Sequence, residues 1–302
     1  MGKIAFVFSG QGDQYPGMGK DLAQTYPVAA SVYQMCDSIR PGTSAQCFAG
    51  TEEELKETKN TQPCLFAMEL AAASVLCEAG IRPDAVAGFS LGEVVAATVA
   101  GVVDCETGFR LVCKRGALMQ QAAEKHDTSM AAVVKLTAQT VEELCSNYSE
   151  VYPVNFNCPG QITVSGLSSQ MPEFFASVKT AGGRAIPLKV KGAFHSPFMN
   201  EAAAAFAQEL SGAELHQAAI TLYSNATAEP YTENAADLLS RQICSPVQWE
   251  RIIRNMIAAG VDTFIEVGPG KTLTNMIRKI NAEVKTYAVS ELAVLLSEVQ
   301  PC

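Results

Sequence analysis

The segment with the most specific chemical pattern is Gly88-Phe89-Ser90-Leu91-Gly92, which matches G-x-S-x-G. A short apolar run precedes it and a helical pattern, Leu91 to Val99, follows it, and this strand-turn-helix setting is that of a nucleophile elbow. The glycines leave room beside the serine, and the backbone N–H of Leu91 points to where an oxyanion would form. We predict that Ser90 is a nucleophile; the alternative is a tight structural turn with an incidental serine.

A nucleophilic serine needs a base, and the sequence has three histidines. His126 lies in a charged segment and His216 in a predicted surface stretch. His195 directly precedes a predicted helix that Ser196 can cap and Pro197 can start, and the positive end of that helix would keep its ring neutral. We predict His195 as the general base; the alternative is a histidine that packs at the helix entry. No Asp or Glu stands out as the third member of a triad.

A third candidate is Arg115, which falls on the apolar stripe of a helix predicted over Cys105–Ala123. A guanidinium on that face must meet an anion or reach out to solvent, because a buried unpaired charge is strongly unfavourable. The residues leave two interpretations open. One is a structural pair with Asp or Glu, which they favour, and the other is bidentate binding of an acidic ligand.

The elements that must position these side chains alternate between strand and helix. An apolar run at Ile4–Phe8 opens a βαβα order that predicts a parallel sheet covered by helices. One of these helices is predicted to start at Thr61, with Pro63 early in it, where the missing N–H costs nothing.

The middle of the chain changes to the order βαββαβ, which is that of a ferredoxin-like unit. We therefore predict an α/β fold made of two parts. Residues 1–125 and 192–302 would form an α/β-hydrolase-like catalytic domain with a parallel sheet, and residues 126–191 a small inserted ferredoxin-like subdomain.

Composition limits the possible classes of protein. The 302 residues are 48% hydrophobic and 18% charged, which is ordinary for a globular chain. No apolar run reaches the roughly 20 residues that span a bilayer, and the N-terminal run is too short for a signal peptide, so we expect a cytoplasmic protein without membrane segments. A net charge of −9 disfavours nucleic acid as a partner. The ten cysteines never form C-x-x-C, and we expect reduced thiols and no metal site.

Taken in order along the chain, the motifs resemble those of malonyl-CoA:acyl-carrier-protein transacylases of fatty acid synthesis and of the acyltransferase domains of polyketide synthases. The matching segments are Ser9–Gly12, Pro16–Gly19, Thr61–Pro63, Gly88–Glu93, Arg115–Gln120, Asn155–Gln161, Gly192–Ser196, Arg241–Gln242, Pro246–Trp249 and Glu266–Gly270. The resemblance covers essentially the whole chain. Phe89 departs from it, since many relatives have His at this position.

The resemblance implies a role for each residue of the reaction centre. Ser90 would carry the malonyl group as an ester, and His195 would take its proton and later activate the pantetheine thiol of the second substrate. The backbone carbonyl of Gln242 would orient His195, which explains the missing triad acid. The backbone N–H groups of Gln11 and Leu91 would form the oxyanion hole.

The resemblance also implies how the acyl group is chosen. Arg115 would bind the free carboxylate of malonate, with Gln62, Asn157 and Met119 as further pocket residues. Phe194, beside the base, resembles the malonyl-selective form of the motif, in which its bulk excludes a branched α-methyl group.

The implied function is ping-pong transfer of malonyl from malonyl-CoA to the phosphopantetheine thiol of an acyl carrier protein, by a monomer without a bound cofactor. Three alternatives stay open: a trans-acting acyltransferase of a polyketide pathway, a serine thioesterase or esterase, and a non-catalytic carrier-binding module. An acidic chain must also bind an acidic carrier, which would need a local basic patch. The candidate patch is Arg184, Lys189, Lys191, Lys271, Arg278 and Lys279, and a solvated charged face is the alternative.

Overall fold

The computed structural model of the protein describes residues 2–232 and 234–299. In chain order the strands are β1 (Lys3–Phe8), β2 (Ala85–Gly88), β3 (Thr128–Val134), β4 (Val151–Cys158), β5 (Gln161–Leu167), β6 (Arg184–Lys191), β7 (Thr221–Tyr223), β8 (Val261–Val267) and β9 (Lys285–Ala288).

The helices connect these strands. They are α1 (Lys20–Thr25), α2 (Pro27–Ile39), α3 (Thr43–Ala49), α4 (Glu52–Lys56), α5 (Thr58–Glu78), α6 (Gly92–Val99), α7 (Cys105–Ala123), α8 (Ala138–Cys145), α9 (Met171–Thr180), α10 (Asn200–Ser211), α11 (Ala235–Arg241), α12 (Trp249–Ala258), α13 (Thr272–Ile280) and α14 (Leu292–Glu298). Short 3-10 turns occupy Pro197–Met199, Gln242–Cys244 and Val289–Glu291. None of the helices in the described ranges is both long and apolar enough to cross a bilayer.

Strand β1 is the middle strand of a five-stranded parallel sheet in the order β7-β2-β1-β8-β9. Ile4 to Phe8 are all buried, since helices cover both faces and each successive side chain enters a core. Alternate residues of β1 enter one core with α5 and a second core with α12 and α13. The prediction of a parallel sheet covered by helices is confirmed, and the carboxyl ends of β1 and β2 lie side by side at one edge.

Helix α5 begins at Thr58, three residues before its predicted start, so Pro63 lies inside the helix and not in its opening turn. The backbone N–H of Thr61 donates to the carbonyl of Glu57 at 2.8 Å, and its hydroxyl donates to the carbonyl of Leu55 at 2.5 Å, and these bonds hold the earlier turn. The helix is buried along most of its length. Tertiary packing therefore outweighs the hydrogen bond that a proline cannot make.

Four short helices, α1 to α4, occupy residues 20–56, for which the sequence pattern led to no prediction. Helix α4 opens with a capping box. Glu54 N–H donates to Thr51 Oγ1 at 3.1 Å, and Thr51 N–H donates to Glu54 Oε2 at 2.8 Å. This Thr-x-x-Glu signal was available in the sequence.

A second sheet is antiparallel, with the order β4-β5-β3-β6, and its elements follow one another as β3, α8, β4, β5, α9 and β6. It has a hydrophobic core of its own, in which Val133, Val164 and Phe174 are fully buried. The segment before α12 pairs with the antiparallel sheet: Phe156 N–H donates to Val247 O at 2.9 Å, and Val247 N–H donates to Val154 O at 2.8 Å. This pairing fixes β4 beside the start of α12.

Candidate active site

Ser90 lies in the sharp turn between β2 and α6, as predicted for a nucleophile elbow. Its φ of 56° is in the left-handed region that side chains seldom adopt. A Cβ on Gly88 would lie 1.8 Å from the carbonyl carbon of Gly92, and one on Gly92 would lie 2.4 Å from Phe8 O. Both glycines are therefore required by close backbone approach, and the turn pushes the Ser90 hydroxyl out over the start of α6.

His195 is brought to the serine from the loop between β6 and α10. Its Nε2 lies 2.7 Å from Ser90 Oγ, and its Nδ1 lies 2.8 Å from the backbone carbonyl of Gln242. That carbonyl can only accept, so Nδ1 carries the proton and Nε2 is free to accept the proton of the serine. His195 N–H also donates to Ile243 O at 3.2 Å, which ties the base twice to the same 3-10 turn.

The His195 ring is buried, and burial lowers its pKa to about 4, with the neighbouring Arg115 guanidinium as the second cause. The sequence predicts that the positive end of the following helix keeps the ring neutral. The ring is neutral at pH 7, but desolvation and Arg115 are the reasons. Ser196 does cap the turn that follows, since it accepts from Phe198 N–H at 3.3 Å.

Arg115 is fully buried on α7 and points at the serine. Its NH2 donates to Ser90 Oγ at 3.2 Å and to Gln242 Oε1 at 2.6 Å, and its NH1 donates to Gln62 Oε1 at 2.9 Å. Within the described residues its Nε has no hydrogen-bond partner, and no carboxylate forms a salt bridge with it. The structural ion pair favoured by the residues alone is therefore absent from this part of the chain.

Burial lowers the pKa of Arg115 to about 10, so the guanidinium stays charged at neutral pH. Its nearest acidic neighbour, Glu93, acts on it only through space. A buried cation held by neutral groups beside a nucleophile is suited to an anionic ligand.

A narrow cavity of about 90 Å³ opens over the serine. Its lining includes Gln11, Gln62, Phe89, Ser90, Leu91, Met119, Met130, Asn155, Leu188, Val190, Phe194 and His195. Gln11 and Leu91 thus lie on the same cavity as Ser90, and no hydrogen bond among the described residues uses the backbone N–H of either. Asn157 lies outside this lining and donates to Thr163 Oγ1 at 3.2 Å. Asn155, two residues earlier on β4, faces the cavity instead.

A wider cavity of about 640 Å³ adjoins the first, because both include Gln11 and Val190 in their linings. Its lining carries Lys56 and Lys189, together with the acidic residues Glu57, Glu124 and Asp127. The two cavities together lead from the surface to Ser90.

Sequence reasoning missed the polar side chains that support the site from behind. Asn225 Oδ1 accepts from Ser90 N–H at 2.7 Å, and its Nδ2 donates to Gly88 O at 2.6 Å, so one amide holds both sides of the elbow. Glu93 is buried among Asn225, Tyr231 and Gln242. A polar residue directly after a parallel strand was the available signal for Asn225, which follows β7.

Residues 5–298 match the family described as acyl transferase domain. The chain belongs to the acyl transferase family. The malonyl CoA-acyl carrier protein transacylase of Bacillus subtilis is 38% identical over 299 residues, which cover 96% of this chain and 94% of that protein.

Solved acyl transferase structures are similar to this chain in fold as well as in sequence. The malonyl CoA-acyl carrier protein transacylase of Clostridium perfringens superposes with a TM-score of 0.95 and 34% identity, over 98% of this chain and 96% of that one. A malonyl-transacylase solved in complex with a type II polyketide synthase acyl carrier protein has a TM-score of 0.92 and 33% identity, over 98% of each chain.

Proposed function

We propose that this acyltransferase moves the malonyl group from malonyl-CoA to the phosphopantetheine thiol of an acyl carrier protein, through a malonyl ester of Ser90, in fatty acid synthesis. The observation that carries the proposal is the buried, charged Arg115, whose NH2 lies 3.2 Å from Ser90 Oγ and whose hydrogen-bond partners are neutral. An acyl group that ends in a carboxylate supplies the missing anion. The malonyl transacylases among the relatives support the same assignment.

In the first half of the reaction, Ser90 Oγ attacks the thioester carbonyl carbon while its proton passes to His195 Nε2. The negative charge on the carbonyl oxygen is stabilised by the backbone N–H groups of Gln11 and Leu91. The C–S bond then breaks, and His195 returns the proton to the coenzyme A thiolate. The Gln242 carbonyl stabilises the imidazolium that exists between these two proton transfers.

The second half reverses these steps with a new thiol. His195 takes the proton of the pantetheine thiol, its sulfur attacks the malonyl ester, and Ser90 recovers its proton as the ester bond breaks. The wider cavity beside the reaction centre gives the pantetheine arm a path to Ser90. No cofactor takes part in any step.

The acyl pocket is formed by side chains around the serine. Arg115 binds the malonyl carboxylate, and Gln62, which accepts from Arg115 and donates to Met119 Sδ at 3.4 Å, helps to hold it. Phe194, on the cavity lining beside His195, restricts the space for an α-methyl branch. Asn157 does not line the cavity, so we assign it no contact with the acyl group.

The test measures formation of the acyl-enzyme by intact-mass spectrometry. Wild-type protein incubated with malonyl-CoA should carry one malonyl group on Ser90. Arg115→Ala should reduce malonylation by about a hundredfold or more and spare acylation by acetyl-CoA, since only malonyl has the carboxylate. Malonylation that survives this change would show that Arg115 does not bind the malonyl carboxylate. A thioesterase would instead release free malonate without passing it to a carrier protein.

We further propose that residues 1–125 and 192–302 form one α/β-hydrolase-like domain around residues 126–191. The inserted segment would be a ferredoxin-like subdomain, in keeping with its βαββαβ element order and with a separate hydrophobic core. The parallel sheet and its elbow support the hydrolase-like description of the larger part.

We propose a cytoplasmic monomer. The nine cysteines of the described residues are free thiols, as a reducing compartment requires, and the large apolar side chains exposed in those residues, Tyr15, Ile186 and Val294, are scattered. For the carrier, Lys189 is the member of the candidate patch that lines the wider cavity. Lys271 pairs with Glu291 at 2.5 Å, and the side chain of Lys191 lies outside the described residues.

A further inference from the structure

Behind Ser90 and Arg115 lies a buried carboxylate that the proposed reaction does not use. Glu93, in the first turn of α6, has no exposed surface. Its Oε1 accepts from Tyr231 OH at 2.6 Å and from Asn225 N–H at 3.1 Å, and its Oε2 accepts from Gln242 Nε2 at 2.8 Å. All three neighbours donate, so the position is filled by a group that accepts at both ends.

The side-chain amide of Gln242 joins this carboxylate to the site. Its Oε1 accepts from Arg115 NH2 at 2.6 Å, while its Nε2 donates to Glu93 Oε2 and to the backbone carbonyl of Ser90, each at 2.8 Å. An amide can be turned end for end at little steric cost, but the reversed Gln242 would direct N–H groups at Arg115, which is also a donor. Because Glu93 Oε2 and Ser90 O both accept from Nε2, the Gln242 amide is held with its Oε1 towards Arg115.

We propose that Glu93 is a positioning residue for substrate selection: through the Gln242 amide it holds the Arg115 guanidinium where the carboxylate of the acyl group binds. The proposal rests on malonyl transfer as the function of the site. It gives Gln242 two separate tasks, since the backbone carbonyl serves His195 and the side chain serves Arg115.

The substitution Glu93→Gln tests this arrangement because glutamine has nearly the same shape. If its NH2 replaces Oε2, Gln242 must turn round and present a donor to Arg115. If its NH2 replaces Oε1, it faces the backbone N–H of Asn225, which cannot turn. Neither orientation preserves the network, and the first displaces Arg115.

The measurement is the rate constant for acylation of Ser90 by malonyl-CoA and by acetyl-CoA at about pH 8, with acyl-enzyme followed by intact-mass spectrometry. We expect E93Q to lower the malonyl-to-acetyl ratio of kcat/KM by about tenfold or more, with acetylation changed by less than about threefold. Tyr231→Phe, which leaves Gln242 its acceptor, should change the ratio by less than about twofold. The matched control is Glu106→Gln at an exposed position on α7.

A second measurement is made on wild-type protein, so its main result does not depend on how the variants fold. Burial raises the pKa of Glu93 to about 7. The other titratable or charged groups that face it are Arg115, whose pKa burial lowers to about 10, and Tyr231, whose pKa burial raises well above its ordinary value, so neither changes charge near pH 7. Protonation of Glu93 at Oε2 would place a hydrogen against Gln242 Nε2, which is a donor, so the amide would have to turn round. The malonyl-to-acetyl ratio should therefore fall as pH decreases through about 7, and this dependence should be absent from E93Q.

The outcomes separate the two proposals. Equal losses of malonylation and acetylation in E93Q would make Glu93 a structural residue only, and a wild-type ratio that stays constant between about pH 6 and 8 would also overturn the inference. If wild-type protein forms an acetyl ester but no malonyl ester, the proposed function itself fails, whatever E93Q does.

Discussion

At the scale of single residues, the two side chains assigned to proton transfer both have left-handed backbone conformations, with φ of 56° for Ser90 and 61° for His195. Such conformations are unfavourable for side chains other than glycine and persist only where the surroundings hold them. Here Asn225 Oδ1 accepts from Ser90 N–H, and Ile243 O accepts from His195 N–H. The geometry of the pair is thus held by neighbours and not by local preference.

The pH dependence of acylation by acetyl-CoA should report on His195. Because burial and Arg115 lower its pKa to about 4, the ring stays neutral, and able to accept the serine proton, down to about pH 5. Protonation of Nε2 below that pH should stop the reaction. Quenched-flow measurement of acetyl-enzyme should show a half-maximal rate near pH 4. A half-maximal rate near the ordinary histidine pKa would contradict the buried neutral base.

At the scale of the elements, the elbow depends on the approach of α6 to the ends of β1 and β2. The replacement Gly88→Ala would place a Cβ 1.8 Å from the Gly92 carbonyl carbon, within backbone that cannot move freely. We expect a loss of about 3 kcal/mol or more in the free energy of unfolding, together with loss of acylation. Urea denaturation is the measurement. The control is Gly212→Ala, where the new Cβ would have ordinary contact, 3.7 Å from Glu209 O, and the loss should stay below about 1 kcal/mol.

Local elements were predictable from the sequence, whereas contacts between distant elements were not. Ser90, its strand and its helix were predictable because the motif and its flanking patterns are contiguous. The backbone carbonyl of Gln242 was indicated only through the resemblance, since no residue type marks a carbonyl. The contacts of Asn225 and Glu93 join positions more than a hundred residues apart, and no local pattern encodes them. Pro63 argued for a later start of α5, and packing around the helix reversed that local preference.

At the scale of the whole molecule, several carboxyl groups, three of them fully buried, have raised pKa values. Burial raises the pKa of Glu93 to about 7, raises that of Glu69 well above its ordinary value, and raises those of Asp13 and Glu266. At Glu266, hydrogen bonds from the start of α13 oppose the effect of burial on the pKa. The carboxylate accepts from Leu273 N–H at 3.1 Å and from Thr274 N–H at 2.7 Å. The molecule therefore keeps acidic groups where ionisation is costly.

This arrangement sets the pH dependence of stability. A carboxyl group whose pKa is raised in the folded state binds more protons there than in the unfolded chain, so stability falls as pH rises from about 4.5 to the folded pKa. His195 acts in the opposite direction between about pH 4 and 6.5, because its folded pKa is lowered. Above that range only the carboxyl effect remains.

Urea unfolding of wild-type protein should therefore give a higher free energy at about pH 6.5 than at about pH 8, with Glu93 alone contributing on the order of 1 kcal/mol. E93Q should show a smaller difference between the two pH values. Stability that increases over this interval would mean that these carboxyl groups are ionised in the folded protein without cost.

The contact between Arg115 NH2 and Ser90 Oγ has a consequence for side reactions. Without substrate, Ser90 Oγ accepts a hydrogen bond from the Arg115 guanidinium, and this bond lowers the nucleophilicity of the oxygen. A malonyl carboxylate competes for the same N–H and releases the oxygen as it binds. Binding of the carboxylate and activation of the nucleophile are then one event, and an uncharged acyl group that enters the cavity meets a serine oxygen that is still hydrogen-bonded to Arg115 and therefore less reactive.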